Sequence, residues 1–180
     1  MGNFLKKRIS ATTLSMLFSI VILNSQPLNI DELIECSRIN DVQLLSSLLS
    51  EKGFQELHME DGTMAFVSKQ DLNAGNKVSR STHVIPIQDP GQHLINILSC
   101  DYDYYQSILA ELSGAILGFE IIDRHSHAFR EAAVTIYESA RIPDIRVTVT
   151  EARVHEYLGN DQSDQFDRYE LEIINLSSVH

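Results

Sequence analysis

The chain has 180 residues, 43% hydrophobic and 22% charged, which is enough to bury a core and too apolar for a disordered polymer. It carries 25 acidic residues against 14 Lys plus Arg, a formal charge of −11. That balance counts against a nucleic-acid partner, whose phosphates such a surface repels, and against docking on anionic lipid.

The chain opens with the basic cluster Lys6, Lys7 and Arg8, followed by an apolar run from Ile9 to Leu23. A basic start, a short apolar middle and a polar end are the three parts of a secretory signal peptide. The run of 15 residues is shorter than the roughly 20 that span a bilayer as a helix. Ser25 is small enough to precede the cut, leaving Gln26 as the first mature residue. Residues 1–25 are therefore read as a leader, and the mature chain as periplasmic or secreted with no stable membrane span. Losing three basic and no acidic residues takes the charge from −11 to −14.

Export sets the reading of the two cysteines. Cys36 and Cys100 form an even pair, which in an oxidising compartment permits one disulfide; the other reading is two separate thiols packed as small hydrophobes.

Asn29 with Glu32 three residues on predicts a capping box at the start of a short helix through Leu33 and Ile34 to Cys36. Asn40 is placed as the cap of the next helix, where Val42, Leu45 and Leu49 make an apolar stripe that Leu44 and Leu48 widen. Gly53 suits the left-handed position that stops a helix. Phe54–Met59 and Thr63–Ser68 read as strands around an Asp61-Gly62 turn. The polar stretch Asp71–Ser81 reads as a loop. Thr82–Gln88 reads as a strand that Pro86 confines to an edge, since proline cannot donate to a ladder. Asp89-Pro90-Gly91 signals a turn and the boundary between a first unit, 26–90, and a second, 91–180.

In the second unit His93–Ser99 reads as a strand. Asp101 or Asp103 then caps a helix with Tyr105, Ile108, Leu109 and Leu112 at helical spacing. Gly118-Phe119 opens a strand as Gly53-Phe54 does, 65 positions later, while the helical stripes lie 60 apart. The order of helix, Gly-Phe, strand, turn and strand is kept, a loose internal repeat. After a turn at Arg124–His127, strands are expected at Ala133–Glu138, Ile145–Thr150 and around Tyr169, Leu171 and Ile173. Their alternation means one wet and one buried face, as in an antiparallel sheet covered on one side. Gly159–Asp167 reads as an acidic loop at a hairpin tip. The fold class is α+β, two tandem αββ-type units of helix plus antiparallel sheet.

Leu28–Glu35 and Ser50–Phe54, with the helix before Gly118-Phe119, carry a likeness to known proteins. The chain resembles a family of small, uncharacterised exported proteins of Gram-negative bacteria. Its tandem units are similar to beta-lactamase-inhibitor-like proteins and to small outer-membrane assembly lipoproteins, though the lipidation cysteine of the latter is missing. The resemblance implies binding to other proteins, without chemistry.

Candidate chemistry is sparse. His125 and His127 flank Ser126 and could share a metal, but no third ligand has recognisable spacing, so a polar turn is the stronger reading. Asp161, Asp164 and Asp167 could attract calcium, yet their spacing of three departs from the alternate-residue pattern of a calcium loop. No cofactor or metal is expected. Tyr102, Tyr104 and Tyr105 cluster at a helix start; Tyr105 belongs to the apolar stripe, while Tyr102 and Tyr104 could sit outside it, where partial packing over the sheet edge is the stronger reading and an interface role the other. The expected function is a non-enzymatic, exported module that binds an envelope protein through Tyr102, Tyr104, Asp161, Asp164 and Asp167. The rival is a small periplasmic hydrolase or metal-dependent enzyme, which a deep pocket holding two histidines and a carboxylate would favour.

Overall fold

The computed structural model describes residues 28–59, 62–73, 81–89, 92–127, 131–159 and 162–179. The leader and its cut lie outside them. Two helices, α1 (Ile30–Arg38) and α2 (Val42–Glu51), precede strands β1 (Phe54–His58) and β2 (Met64–Ser68). The short α3 (Lys69–Asn73), strands β3 (His83–Asp89) and β4 (Gln92–Ser99), and α4 (Tyr102–Leu112) follow. Four strands close the chain: β5 (Phe119–His127), β6 (Ala132–Ser139), β7 (Ile145–Gly159) and β8 (Gln162–Asn175), with a 3-10 turn at Leu176–Val179. All eight strands form one antiparallel sheet, ordered β1-β2-β3-β4-β8-β7-β6-β5.

The helix ends follow from side-chain chemistry. The Asn29–Glu32 capping box forms: the Glu32 amide donates to Asn29 Oδ1 (2.9 Å) and the Asn29 amide to Glu32 Oε2 (3.0 Å). α1 is also tied to α4, because the Ile30 amide donates to Glu111 Oε2 at 2.7 Å. α2 is capped by Asp41 rather than the expected Asn40, its carboxylate accepting from the amides of Gln43 and Leu44. A one-residue shift between two capping types costs the sequence signal nothing. Gly53 and Gly118 both take positive φ, +87° and +64°; Gly53 ends the short turn after α2 and Gly118 the longer turn after α4, and each leads directly into a strand. Arg141 packs against Gly118 and donates to the carbonyls of Ala115 and Ile116, so a Cβ at 118 would press on that guanidinium at 3.3 Å.

Register puts one set of apolar side chains under the helices. Phe66, Val84, Ile97, Leu171 and Val149 are successive cross-strand neighbours, with Ile95, Ile173 and Val147 one pleat along. They share a buried core with Leu33 and Ile34 of α1, Leu45 and Leu49 of α2, and Tyr105, Ile108 and Leu112 of α4. α1 lies across the centre, against β4 and β8. Leu44, expected to widen the α2 stripe, is 57% exposed, so the stripe is narrower than the sequence suggested.

The opposite face of the sheet carries Ile85, Ile87, Leu94, Leu98 and Ile174 among Thr148, Thr150, Glu170 and Glu172, all half-buried. Burial, and then the neighbouring Glu170 carboxylate, push the Glu172 pKa up. A carboxyl with a raised folded pKa lends full stability below its unfolded value, about 4.3, and loses it as pH rises through the folded one. Glu172→Gln, which never ionises, is therefore expected to raise the melting temperature at pH 7. The gain should vanish near pH 4. Thermal unfolding followed by circular dichroism at both pH values tests this; equal melting temperatures at pH 7 would refute it.

Several expected loops are ordered. Asp71 lies in α3, not in a loop, while 74–80 falls outside the described residues. Arg124–His127 is not a turn but the end of the edge strand β5. Gly159–Asp167 is mostly ladder: Arg153↔Asp167, His155↔Gln165 and Glu156↔Asp164 pair across β7 and β8. β3 is not the edge strand expected from Pro86 but lies between β2 and β4; among the described residues β2 pairs with it at His83 and Val84 only, so Pro86 falls beyond that ladder. Pro90 and Gly91 of the expected turn lie outside the described residues; the strands on either side, β3 and β4, pair with each other.

Candidate binding groove

The groove begins at the start of α4. Asp101 Oδ1 accepts from the amides of Asp103 (2.9 Å) and Tyr104 (3.1 Å), and its own amide donates to Ser99 Oγ (3.1 Å). Ser99 Oγ lies 3.1 Å from Thr82 Oγ1, and the Thr82 amide donates to Asp71 Oδ2 at 2.7 Å. Asp71, Thr82, Ser99 and Asp101 are thus one hydrogen-bonded relay that fixes where α4 starts.

From that start the three tyrosines take different fates. Tyr104, expected outside the core, is buried and donates its hydroxyl to the Leu28 carbonyl at 2.9 Å; desolvation, reinforced by Glu111 and Glu32, raises its pKa. Tyr105 is buried and stacks on Tyr169 of β8, centroids 4.1 Å apart and planes 10° from parallel. Its hydroxyl bonds to the Glu151 carboxylate on β7, and burial followed by that bond raises its pKa. Tyr102 stays 57% exposed, 6.0 Å from the Tyr169 ring and tilted 52° to it. Only Tyr102 keeps an open ring.

β7 and β8 outrun their neighbours. β6 pairs with β7 only as far as Ala152, and β4 pairs with β8 only from Tyr169 onward. Arg153–Gly159 and Gln162–Arg168 therefore continue as a two-stranded arm, about 20 Å long at the usual rise per residue. Between its base and α4 lies a hollow of ≈ 510 Å³ lined by Asp71, Thr82, Cys100, Asp101, Tyr102, Phe166, Asp167 and Tyr169. Asp167 and Tyr169 also line an adjoining hollow of ≈ 360 Å³ with Glu131, Glu151 and Arg153. Five carboxylates border the pair against one arginine, and Arg153 Nε already donates to Asp167 Oδ1 at 3.1 Å.

The structure thus brings together Tyr102 and Asp167 of the expected binding residues. Asp164 is half-buried on the opposite face of β8 from Asp167, so the two do not converge on one calcium ion; Asp161 lies outside the described residues. Tyr169, Asp71 and Asp101 were not foreseen as site residues. Tyr169 is disguised by strand alternation, Asp71 by its polar surroundings and Asp101 by its capping role.

No disulfide joins Cys36 and Cys100, so the bridge allowed by their even count is not formed. Burial, and then Glu32 and Glu35, push the Cys36 thiol up to about 12, leaving it inert as a nucleophile. Cys100 is half-buried at the groove wall. A third hollow, ≈ 300 Å³, borders His83, His155 and Glu156 on the arm's other side. Adjacent strand residues point to opposite faces, which separates His155 from Glu156, and His155 is engaged by the Gln165 amide nitrogen. Asp123 holds His125 Nδ1 at 3.1 Å, and no group of three or more His, Cys, Asp or Glu among the described residues is placed to hold a metal. Nor, among those residues, is any helix long and apolar enough to cross a membrane. Comparison with known protein families, curated proteins and solved structures gave no match.

Proposed function

We propose that this chain is an exported, non-enzymatic module of the cell envelope, periplasmic or secreted, that binds another protein through the groove beside α4. One observation carries the reading: an exposed tyrosine and a strand aspartate, Tyr102 and Asp167, border one hollow that a relay of hydrogen bonds holds open. Exposed tyrosine offers large contact area at small entropic cost, which suits recognition. Export rests on the basic cluster and apolar run before Leu28. We read the rest as two tandem helix-plus-sheet units, 26–90 and 91–180. Supporting this is the positive-φ glycine before Phe54 and before Phe119, each leading into a strand.

The hydrolase alternative draws on the hollow with His83, His155 and Glu156. It fares worse because His155 and Glu156, adjacent on β7, point to opposite faces, so the two histidines and the carboxylate do not share one face. The test is affinity capture from an envelope fraction with the chain and with Tyr102→Ala. A specific partner held by the first and lost by the second is expected. Absence of any partner, with turnover of a test ester, would overturn the proposal.

A further inference from the structure

The groove has a chemistry of its own beyond being a surface that another protein touches. Its rim is acidic and its wall aromatic, and the acids keep spare capacity. An ionised carboxylate accepts about four hydrogen bonds. Asp101 receives its two recorded bonds on Oδ1, and Asp71 receives the Thr82 amide on Oδ2. Among the described residues, each therefore retains a second oxygen while its first fixes the backbone. Asp167 already receives a guanidinium, that of Arg153, through a pair whose side chains are 51% and 55% exposed. Such a solvated pair contributes little, so a second cation can share or displace it with little loss.

The aromatic wall selects among cations. Tyr102 and Tyr169, 6.0 Å apart and inclined at 52°, form an open corner rather than a closed stack, because the other Tyr169 contact is taken by Tyr105. A cation within about 6 Å of such a ring is held by its quadrupole. A guanidinium is favoured over an ammonium here, since a planar fork lies flat on a ring and also meets carboxylates through paired N–H donors. Anions and phosphates are repelled by the same rim.

Resting on the reading of the groove as a protein-binding site, we infer that it takes an arginine-bearing segment of the partner, one guanidinium seated at the Tyr102–Tyr169 corner between Asp101 and Asp167. The neighbouring residues of that segment run along the adjoining hollow past Glu131 and Glu151. A chain of formal charge −11 would also hasten encounter with such a segment.

The probe is a capped hexa-arginine peptide, with hexa-citrulline as its neutral near-isostere, titrated calorimetrically into the chain as the cell produces it. Hexa-arginine should bind about tenfold tighter than hexa-citrulline, and Tyr102→Ala and Asp167→Asn should each weaken it about fivefold. Glu35→Gln, which removes the same charge from an exposed site on α1, should leave binding unchanged. Equal affinity for the two peptides, no effect of Tyr102→Ala, or equal effects of Asp167→Asn and Glu35→Gln would each overturn the inference. Thermal unfolding of the variants separates lost binding from lost structure. Should the inference fail while envelope capture still depends on Tyr102, the groove remains a binding site that reads some other chemistry. Should both fail, the groove itself is refuted.

Discussion

Phe66→Ala is expected to lower the stability of the fold by about 3–5 kcal/mol. Phe66 is 1% exposed at the middle of β2, opposite Glu56 on β1 and Val84 on β3. Removing its ring withdraws a large apolar area and opens a void that neighbouring side chains fill only in part, since strands on both sides hold the backbone in place. The helical side offers no easy collapse either: Leu45 and Leu49 of α2 are fully buried in the same core. Against a typical total of about 5–15 kcal/mol, this loss is a large fraction. The chain has no tryptophan, so urea unfolding is best followed by the far-ultraviolet signal of the sheet. A midpoint shift equivalent to less than about 1 kcal/mol would mean that β2 is not packed as described.

Ile173→Ala is expected to cost about 2–5 kcal/mol and, more tellingly, to leave a single unfolding transition. Ile173 is fully buried where β8 lies between Ile95 of β4 and Val147 of β7. That is the seam at which the two runs of strands meet. Seven residue pairs join β4 to β8, and α1 bridges the same two strands from above. A cavity at this point thus weakens both halves together. Two separated transitions, or loss of one half with the other intact, would show that the halves fold independently and that the sheet is only nominally continuous.

Local chemistry was the legible part of this chain. Each of the eight described strands is announced in the sequence, β7 and β8 by alternation such as Ile145, Val147 and Val149 with polar neighbours, the others by β-prone runs bounded by Gly, Pro or Asp. The capping residues Asn29 and Asp101 act through bonds within three positions, so the sequence displays them directly. What failed were features whose cause lies far along the chain. Tyr104 looked peripheral on its own helix but is covered by Leu28, 76 residues away. Arg124–His127 and Gly159–Asp167 looked like loops because β5 is an edge and the arm extends beyond its neighbouring strands. Strand residues that face water on both sides carry no hydrophobic period to be read. The groove was half visible for the same reason: Tyr102 and Asp167 stood out by residue type, whereas Tyr169 joins them only through pairing register.

The arm has an energetic consequence for whatever lodges beside it. Up to Ala152, β7 is held by ladders on both flanks; past the Arg153 amide, which donates to the Glu131 carbonyl, the two strands of the arm pair only with each other among the described residues. A lone ribbon of two strands is barely self-supporting in water. A ligand pressed against Phe166 and Asp167 thus meets a pliant jaw opposite the rigid start of α4, and stilling that jaw consumes some of the attraction. On the proposed reading of the groove, tight grip would be traded for adaptability.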